Sequence, residues 1–353
     1  MPIYKPNGDL LLDEGDITDL DERVTVLEQQ DGISLPSYLE TEAATVLSSL
    51  IGKCEDKTYL FTVVTDSHNE RNDVAKLAWS DAISAMHYLY NQYRSDAVVH
   101  LGDIIHGVED VSTAKTVIRS SVNQMLDICP KVFLCRGNHE SDFAYDTNNH
   151  YELISTDEIY ALTCRQNEQY VVRPENKLYY YLDYGDDLRC VFLDSDMIGY
   201  ASGQTTADLR QNKDGERYGY DAEQITWFST VALNTDRQVA VFSHMPATRS
   251  YMTASSFWTD ENRQSFDNIL AAAKSFVTNG GTIVGWFFGH IHNKTKNNNG
   301  KFYEIGLRNS FYTEETTGGV HNIPNFSIIA IHPDTKKVDV ISFGQDADDS
   351  FTY

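Results

Sequence analysis

Residues 60–68 read LFTVVTDSH, a mostly apolar run of strand length that ends in an aspartate and a histidine. Five similar runs follow along the chain, and they read AVVHLGD (97–103), VFLCRGNHE (132–140), CVFLD (190–194), VAVFSH (239–244) and IVGWFFGHIH (283–292). Strands that are apolar throughout are typical of sheets covered on both faces. Five of the six runs lead into a motif of Asp, Asn or His, and the sixth ends at Asp194.

The segments between these runs carry apolar residues at helical spacing, as in residues 74–89 and 266–273. Strands that alternate with helices predict an α/β sheet, whose ligand sites lie at the carboxyl ends of the strands. After residue 300 the pattern changes, because residues 326–331 and 338–341 flank a Pro-Asp turn and predict a hairpin. The residues alone therefore predict an α/β domain with a β-rich C-terminal part.

Residues 1–57 differ from the rest and form a predicted acidic helical leader, which leaves residues 58–353 as the main domain. Within the leader, residues 17–27 place apolar side chains at the a and d positions of barely two heptads. Two interpretations stay open: an amphipathic helix packed on the main domain, which we favour, or a short coiled-coil stalk through which copies of the chain form a homo-oligomer. A second helix is predicted over residues 38–50.

The charge balance excludes some partners. The 353 residues contain 28 Lys and Arg against 52 Asp and Glu, for a net charge of −24. A field of this sign repels polyphosphate backbones, so we expect no nucleic-acid partner, whereas a small phosphate-bearing substrate held by local cations is compatible with it. The start of the chain lacks the apolar region of a signal peptide, no run reaches the roughly 20 residues of a membrane span, and the five scattered cysteines include no CxxC pair. We therefore predict a cytoplasmic protein.

The residues at the strand ends suggest metal chemistry. Imidazole and carboxylate groups together suit Mn, Fe, Zn or Ni rather than Ca or Mg alone. Seven potential ligands are too many for one four-coordinate ion, but they suit two ions if one carboxylate bridges. Paired ions can clamp the attacking and leaving oxygens of a phosphoryl displacement. The motifs, in chain order, are Asp66-x-His68, Gly102-Asp103, Gly137-Asn138-His139-Glu140, His244 and Gly289-His290-x-His292.

This order of motifs resembles that of the calcineurin-like metallophosphoesterase superfamily, which carries D-x-H, GD, GNH[DE], H and GHxH. The resemblance covers roughly residues 58–345, and five such motifs, each behind a predicted strand, are far more specific than any one alone. It implies a four-layer α/β/β/α sandwich, formally an α/β (α+β) fold, with the helical leader in front. It also implies hydrolysis of a phosphomonoester or phosphodiester by in-line attack of a metal-bound hydroxide, with manganese among the expected metals.

The resemblance also implies a role for each motif residue. Asp103 would bridge the two ions, and His139 would contact the phosphoryl oxygens or protonate the leaving group, which makes these two the predicted catalytic residues. Glu140 would orient neighbouring groups. The metal ligands implied are Asp66, His68 and His292 for the first ion, Asn138, His244 and His290 for the second, and Asp103 for both.

One position departs from the common family form. The second motif continues as GDIIHGV, with His106 where Asp or Asn often stands. We predict that His106 contacts a ligand or the substrate, and we favour this over direct ligation. The same string differs from the GDxVDRG of the protein Ser/Thr phosphatases, and it lacks the tyrosine that purple acid phosphatases place nearby, so both subgroups are disfavoured.

Specificity is expected from long segments that follow strand ends, over residues 141–175, 196–220 and 245–263. They carry aromatic residues such as Tyr218 and Tyr220, and Arg249. We predict Arg249 and Arg136 as candidate phosphate clamps. Asp194 is more consistent with a structural residue below the site than with a direct participant.

Two alternatives to a small-molecule phosphoesterase remain at this stage. The first is a non-catalytic virion or scaffold component with a vestigial metal site, which the acidic leader loosely suggests and the retention of every ligand type opposes. The second is a nuclease, which the net charge disfavours. The predicted partner is a small phosphoester, with no nucleic acid and no membrane.

Overall fold

The structure is a computed structural model. It describes residues 35–107, 109–141, 153–196, 218–249, 260–311 and 323–353, together with a short antiparallel strand pair near the N terminus. The predicted heptad positions over residues 17–27 lie outside the described residues, so that prediction stays open.

Strands and helices alternate as the sequence pattern predicts. The helices are α1 (Glu40–Lys53), α2 (Asp73–Gln92), α3 (Val111–Ile128), α4 (Thr156–Thr163), α5 (Ala222–Trp227, continued by a π-helical turn, Phe228–Ala232) and α6 (Asp260–Thr278). Short 3₁₀ turns cover Ser37–Leu39 and Arg165–Asn167. The strands are β1 (Ile3–Tyr4), β2 (Leu10–Leu12), β3 (Tyr59–Val64), β4 (Ala97–His100), β5 (Val132–Leu134), β6 (Tyr180–Tyr184), β7 (Leu188–Phe192), β8 (Gln238–Ser243), β9 (Ile283–Phe288), β10 (Thr295–Asn298), β11 (Tyr303–Gly306), β12 (Phe326–His332), β13 (Lys337–Phe343) and β14 (Asp349–Thr352).

Two six-stranded mixed sheets form the centre of the fold. The first has the order β14-β13-β12-β3-β4-β5, and the second has the order β10-β11-β9-β8-β7-β6. The strands β3, β4 and β5 run parallel, as do β7, β8 and β9. The predicted C-terminal hairpin is confirmed as β12 and β13, and β12 pairs antiparallel with β3. The hairpin thus extends the first sheet.

Aromatic rings fill the space between the sheets. The rings of Phe61 in the first sheet and Phe242 in the second lie 5.8 Å apart, and those of Phe133 and Phe192 lie 5.3 Å apart. A separate core covers the outer face of the second sheet, where Trp286 packs under residues of α5 and α6. Helices α1 to α3 belong to the core cluster of the first sheet. The predicted four-layer α/β/β/α sandwich is confirmed.

Helix α1 lies in the predicted leader, yet it belongs to the same core as the main domain. Its Val46 and Leu50 are buried in the cluster that also contains the first sheet. Lys53 forms an ion pair of 2.7 Å with Asp348, next to β14. Helix α1 is therefore packed against the main domain, and the boundary at residue 57 stays a prediction.

Candidate metal centre

Loops from both sheets meet at one edge of the sandwich. The loop after β3 is fixed to the loop after β4, because the backbone N–H of Asp66 donates to Gly102 (3.0 Å) and that of His68 donates to Asp103 (3.0 Å). In the second sheet, the N–H of Gly289 donates to the carbonyl of His244 at 3.0 Å. The strand-end motifs are therefore held together by main-chain hydrogen bonds before any side chain is considered.

Five of the motif residues have a left-handed backbone, which is uncommon for residues with a side chain. The φ angles lie between 41° and 63°, at Asp66, His68, Asp103, His290 and His292. Each such residue carries a conformational cost that the surrounding structure must offset, and such residues cluster at functional sites. The turns they make direct both side chains of the D-x-H and H-x-H motifs toward the same edge.

Two motif glycines are required by close approach. A Cβ on Gly137 would lie 2.2 Å from Oδ1 of Asp103, and a Cβ on Gly289 would lie 2.4 Å from Oδ2 of Asp66. No side chain fits at either position without moving a carboxylate of the cluster. The glycines of the GNHE and GHxH motifs therefore give the two aspartates their room.

A first group of donor atoms forms around Asp66. Its Oδ1 lies 3.2 Å from Nε2 of His292, which lies 3.3 Å from Nε2 of His68. Oδ2 of Asp103 lies 3.9 Å from the same nitrogen of His68. One donor atom from each of these four residues lies within 4.8 Å of the others, which is the spacing of ligands around a single ion.

A second group shares Asp103 with the first. Nε2 of His244 lies 3.2 Å from Oδ2 of Asp103 and 3.1 Å from Oδ1 of Asn138. Nδ1 of His290 lies 2.9 Å from the same amide oxygen. The structure thus brings all seven predicted ligands together in two groups that overlap at Asp103. Their role as ligands stays a prediction, since the geometry alone does not test binding.

Hydrogen bonds to backbone carbonyls orient two of the rings. Nδ1 of His68 donates to the carbonyl of Ile105 (3.1 Å), and Nδ1 of His244 donates to that of Leu101 (2.9 Å). A carbonyl only accepts, so the proton of the neutral ring is on Nδ1. Nε2 then keeps its lone pair for a ligand, as in known metal sites.

The charges of the cluster suit a cation. Burial would raise the pKa of Asp103, but the neighbouring His244 and His139 hold it well below its ordinary value, and His292 does the same for Asp66. Burial would lower the pKa of His244, yet the carboxylate of Asp103 raises it to about 9. Two buried carboxylates thus need positive charge beside them, here supplied by protonated rings. A bound metal ion would displace those protons and supply the same charge.

His139 lies outside the two donor groups that contain Asp103. Its Nδ1 donates to the carbonyl of His106 (2.8 Å), and its Nε2 lies 3.8 Å from Oδ2 of Asp103, about as far as that of His68 and farther than that of His244. Burial lowers the pKa of His139 to about 3. The ring of His106 stacks on that of His139 at 5.4 Å, and its Nδ1 lies 3.2 Å from Nδ1 of His68. His68, His106 and His139 also meet the spacing of a metal site, so ligation by His106 stays open.

Two glutamates hold the loop that carries Asp103. Glu140 accepts hydrogen bonds from the backbone N–H groups of Asp103 (3.0 Å) and Ile104 (2.6 Å), which supports its predicted orienting role. Burial, followed by the charge of Asp103, raises the pKa of Glu140 to about 7. Glu70 accepts from the N–H groups of His106 and Gly107. Sequence reasoning missed Glu70, although an acidic residue two positions after His68 was the available signal.

The predicted phosphate clamps do not reach the cluster. Arg136 is buried and binds both carboxylate oxygens of Asp194, at 2.9 and 2.8 Å. Burial raises the pKa of Asp194 to about 6 despite this pair, and Gln224 holds its backbone, which fits the structural role that we favoured. Arg249 pairs with Asp267 at 3.2 Å. Among the described residues, neither arginine lines the cleft above the cluster, and their clamp role stays a prediction.

A cleft of about 520 Å³ lies above the cluster. Besides candidate ligands, His106 and His139, it is lined by Arg71 and Tyr218. Tyr218 belongs to the segment 196–220, from which specificity is expected. Its ring lies 6.2 Å from that of His290, so this residue does lie at the cleft. Tyr220 instead lies in the core, where its hydroxyl donates to the carbonyl of Met245 (2.9 Å). The sequence prediction did not include Arg71. The available signal was its position, as a basic residue three places after His68 in the loop of the first motif.

Comparisons with known proteins concern the family and the fold. A sequence model of the family described as calcineurin-like phosphoesterase matches residues 59–294. Among solved structures, a dimetal phosphatase from Danio rerio has a TM-score of 0.60 at 16% identity, covering 84% of this chain and 99% of that one. This likeness supports the sandwich fold.

Two other similar structures are more distant. The phosphopantetheinyl hydrolase from Mycobacterium tuberculosis has a TM-score of 0.42 at 13% identity, covering 70% of this chain and 89% of that one. GAP50, described as the anchor in the inner membrane complex of Plasmodium, has a TM-score of 0.43 at 11% identity and covers 84% and 89%. No curated protein sequence matches the chain. Among the described helices, none is long and apolar enough to cross a membrane.

Proposed function

Because the chain belongs to the calcineurin-like phosphoesterase family, we propose that it is a metal-dependent hydrolase that cleaves phosphomonoesters or phosphodiesters at a dinuclear site. The single observation that carries this proposal is the position of Asp103. Its carboxylate belongs to both groups of donor atoms, one with His68 and His292 and the other with His244 and His290. A shared carboxylate is what two neighbouring ions require.

The donor set fits such a pair of ions. Imidazole nitrogens, carboxylate oxygens and the amide oxygen of Asn138 suit Mn, Fe, Zn or Ni. The first ion would be held by Asp66, His68, His292 and Asp103, and the second by Asn138, His244, His290 and Asp103. When bound, such ions supply Lewis acidity, which acidifies water and neutralises charge on phosphoryl oxygens.

His139 is the residue that we assign to the leaving group. Its Nδ1–H donates to the carbonyl of His106, so only Nε2 is left to exchange a proton over the cleft. The stacked ring of His106 and the buried position of His139 hold that nitrogen in place. From there the ring can contact the phosphoryl oxygens, and a bound phosphoryl anion, which favours the protonated form of the ring, would let it pass a proton from Nε2 to the departing oxygen.

The loop that carries Asp103 is fixed independently of any ion. Glu140 holds its backbone through two N–H groups, and the backbone N–H of His139 donates to Oδ1 of Asp103 at 3.0 Å. That bond leaves Oδ2 as the atom that faces His68 and His244. Preorganised ligands of this kind reduce the reorganisation that binding requires.

A panel of phosphoesters tests the proposal. Protein loaded separately with Mn²⁺, Fe²⁺, Zn²⁺ or Ni²⁺ would be assayed on p-nitrophenyl phosphate, bis-p-nitrophenyl phosphate and an oligonucleotide. We expect turnover of at least one small ester with at least one metal, and none of the oligonucleotide, because the net charge of −24 repels it. Protein that holds two ions per chain yet hydrolyses nothing would favour the non-catalytic virion or scaffold alternative.

A further inference from the structure

One cation in the cleft has no carboxylate partner among the described residues. Arg71 is the only Lys or Arg that lines the cleft among those residues, and no described carboxylate forms an ion pair with it. Several other described arginines are paired with carboxylates: Arg136 with Asp194, Arg189 with Asp183 and Arg308 with Asp346. In a chain of net charge −24, a cation beside a candidate metal centre that no described carboxylate pairs is available to an anionic ligand.

The position of Arg71 is fixed by an aromatic ring. Its guanidinium carbon lies 5.0 Å from the ring centroid of Phe311, and its backbone N–H donates to the carbonyl of His68 at 2.9 Å. Phe311 is itself buried and packs edge-on against His68 (5.4 Å) and His292 (5.6 Å). A guanidinium stacked on a ring keeps its planar fork of N–H donors available, and it loses little freedom on binding.

Arg71 and His139 both lie next to His68. The ring of His139 lies 4.7 Å from that of His68, and Phe311, on which Arg71 stacks, lies 5.4 Å from the same ring. Both residues line the cleft. Tyr218 lies beside His290, in the other donor group. A leaving group that takes its proton from His139 would therefore lie over the His68 side of the cleft, whose lining also includes Arg71. In this hydrolysis the oxygen of water forms the new bond to phosphorus, the ester P–O bond breaks, and the leaving oxygen takes up a proton.

We propose that Arg71 binds an anionic group carried by the leaving group, so that the preferred substrates are phosphoesters whose leaving group bears its own carboxylate or phosphate. The inference rests on the proposed function and deepens it. Carboxylate and phosphate both match the bidentate geometry of a guanidinium. The cleft offers no second Lys or Arg among the described residues, so one anionic group is the expected number.

Matched aryl phosphates test the inference. Phenyl phosphate and its 4-carbamoyl derivative carry neutral leaving groups, whereas 4-carboxyphenyl phosphate and 4-(phosphonomethyl)phenyl phosphate carry the two candidate anions. We expect wild-type protein to favour the charged members, and the better of the two identifies the anion. Arg71→Ala should lower the charged-to-neutral ratio of kcat/KM by about 10- to 100-fold, mainly through KM, as the loss of a charge-assisted hydrogen bond predicts.

Arg94 provides a matched control. It is also stacked on a ring, with its guanidinium carbon 5.4 Å from the centroid of Tyr90. Arg94 follows the C-terminal end of α2, whereas Arg71 precedes the N-terminal end, and Arg94 does not line the cleft. Arg94→Ala should keep the wild-type charged-to-neutral ratio of kcat/KM. Arg71→Lys keeps the charge but not the planar guanidinium, so its ratio should lie between those of wild type and Arg71→Ala. An unchanged ratio in Arg71→Ala, or an equal loss on charged and neutral esters, would overturn the inference.

Binding of non-hydrolysable analogues separates this inference from the proposed function. Calorimetry with the metal-loaded protein would compare 4-carboxybenzylphosphonate with benzylphosphonate. If no ester is hydrolysed but the carboxylated analogue binds about tenfold more tightly and Arg71→Ala removes the difference, the function fails and the anion site stands. If esters are hydrolysed and neither rate nor binding depends on the added anion, only the anion site fails.

Discussion

Histidines lie beside aspartates both at the strand-end edge of the sandwich, where the two sheets meet, and at the opposite end of the first sheet, and the two places use them differently. At the strand-end edge, His68 and His244 each give one nitrogen to a carbonyl and turn the other toward further donor atoms. At the opposite end, His332 has both nitrogens engaged, with Oδ2 of Asp339 at 3.0 Å and Oγ1 of Thr58 at 2.9 Å. The first arrangement leaves binding capacity, whereas the second is complete.

The backbone differs in the same sense. His332 ends a regular strand, β12, and pairs in register with Lys337 of β13. Asp103 and His68 have left-handed φ angles of 59° and 41°. The backbone is strained at the metal-centre edge, where a ring nitrogen faces other donor atoms. It is regular at His332, where both ring nitrogens have hydrogen-bond partners. A buried histidine next to an aspartate is therefore no evidence of a site until the second nitrogen and the backbone have been considered.

The largest expected effect is that of Asp103→Asn. The neutral amide weakens both donor groups at once, so we expect hydrolysis to fall by about 10⁴-fold or more and the metal content to fall with it. Asp339→Asn is the matched control, because Asp339 is equally buried and also pairs with a histidine. The control should lose stability but keep its metal and its turnover. Full activity in Asp103→Asn would show that the bridge is assigned to the wrong residue.

His139→Ala should have the next largest effect. Loss of a proton donor lowers turnover by about 10²- to 10⁴-fold, and both ions should stay bound. The loss should shrink for p-nitrophenyl esters, whose leaving group needs little protonation, and a comparison of leaving groups in kcat measures this.

His290→Ala is the counterpart, since it should lose metal and activity together for every leaving group. A metal site that empties in His139→Ala would make His139 a ligand. No change at all would move the proton donor elsewhere, with His106 as the next residue to test.

His332→Ala should affect stability and leave catalysis unchanged. It removes one hydrogen bond from the buried carboxylate of Asp339, which keeps Lys337 (2.8 Å) as an ion-pair partner among the described residues, so we expect the free energy of unfolding to fall by about 1–3 kcal/mol. Urea unfolding measures the loss, and kcat below the unfolding transition should equal that of wild type. A loss of metal in this variant would contradict the purely structural role that we assign to His332.

The smallest expected effect on activity is that of deleting residues 1–34. No strand-end motif lies there, so hydrolysis should persist, and light scattering would show whether the deletion lowers the oligomeric state. Deleting residues 1–53 also removes α1, whose Val46 and Leu50 are buried, and should destabilise the protein by about 5 kcal/mol. Equal stability of the two deletion variants would support the predicted domain boundary at residue 57.

Local patterns predicted much of this fold. The apolar runs gave the central strands, and the spacing of the motifs placed the ligands at the strand ends. The sequence also places Asp221 and Gln224 at the spacing of a capping box, and Asp221 is the N-cap of α5, where it accepts from the N–H of Gln224 at 2.6 Å. The Gln224 side chain, however, bonds to the backbone of Asp194 instead of returning to Asp221. Helix α4 was not predicted, although Ser155 and Glu158 form a capping box that the sequence displays.

Long-range pairing could not be predicted from one sequence. That β12 joins β3 depends on contacts between segments more than 260 positions apart. The engagement of Arg136 by Asp194 is of the same kind, because an arginine beside a motif suggests an anion clamp until its carboxylate partner is known. Arg71 shows the reverse: its value lies in the absence of such a partner among the described residues, which no local pattern displays.

The number of metal ions per chain tests the central claim most directly. Wild-type protein loaded with Mn²⁺ and freed of excess metal should contain two equivalents by elemental analysis, and Asp103→Asn should contain markedly less, because Asp103 belongs to both donor groups. A reproducible value of one equivalent or less in the wild type, with His244 and His290 shown to be unligated, would contradict the dinuclear site.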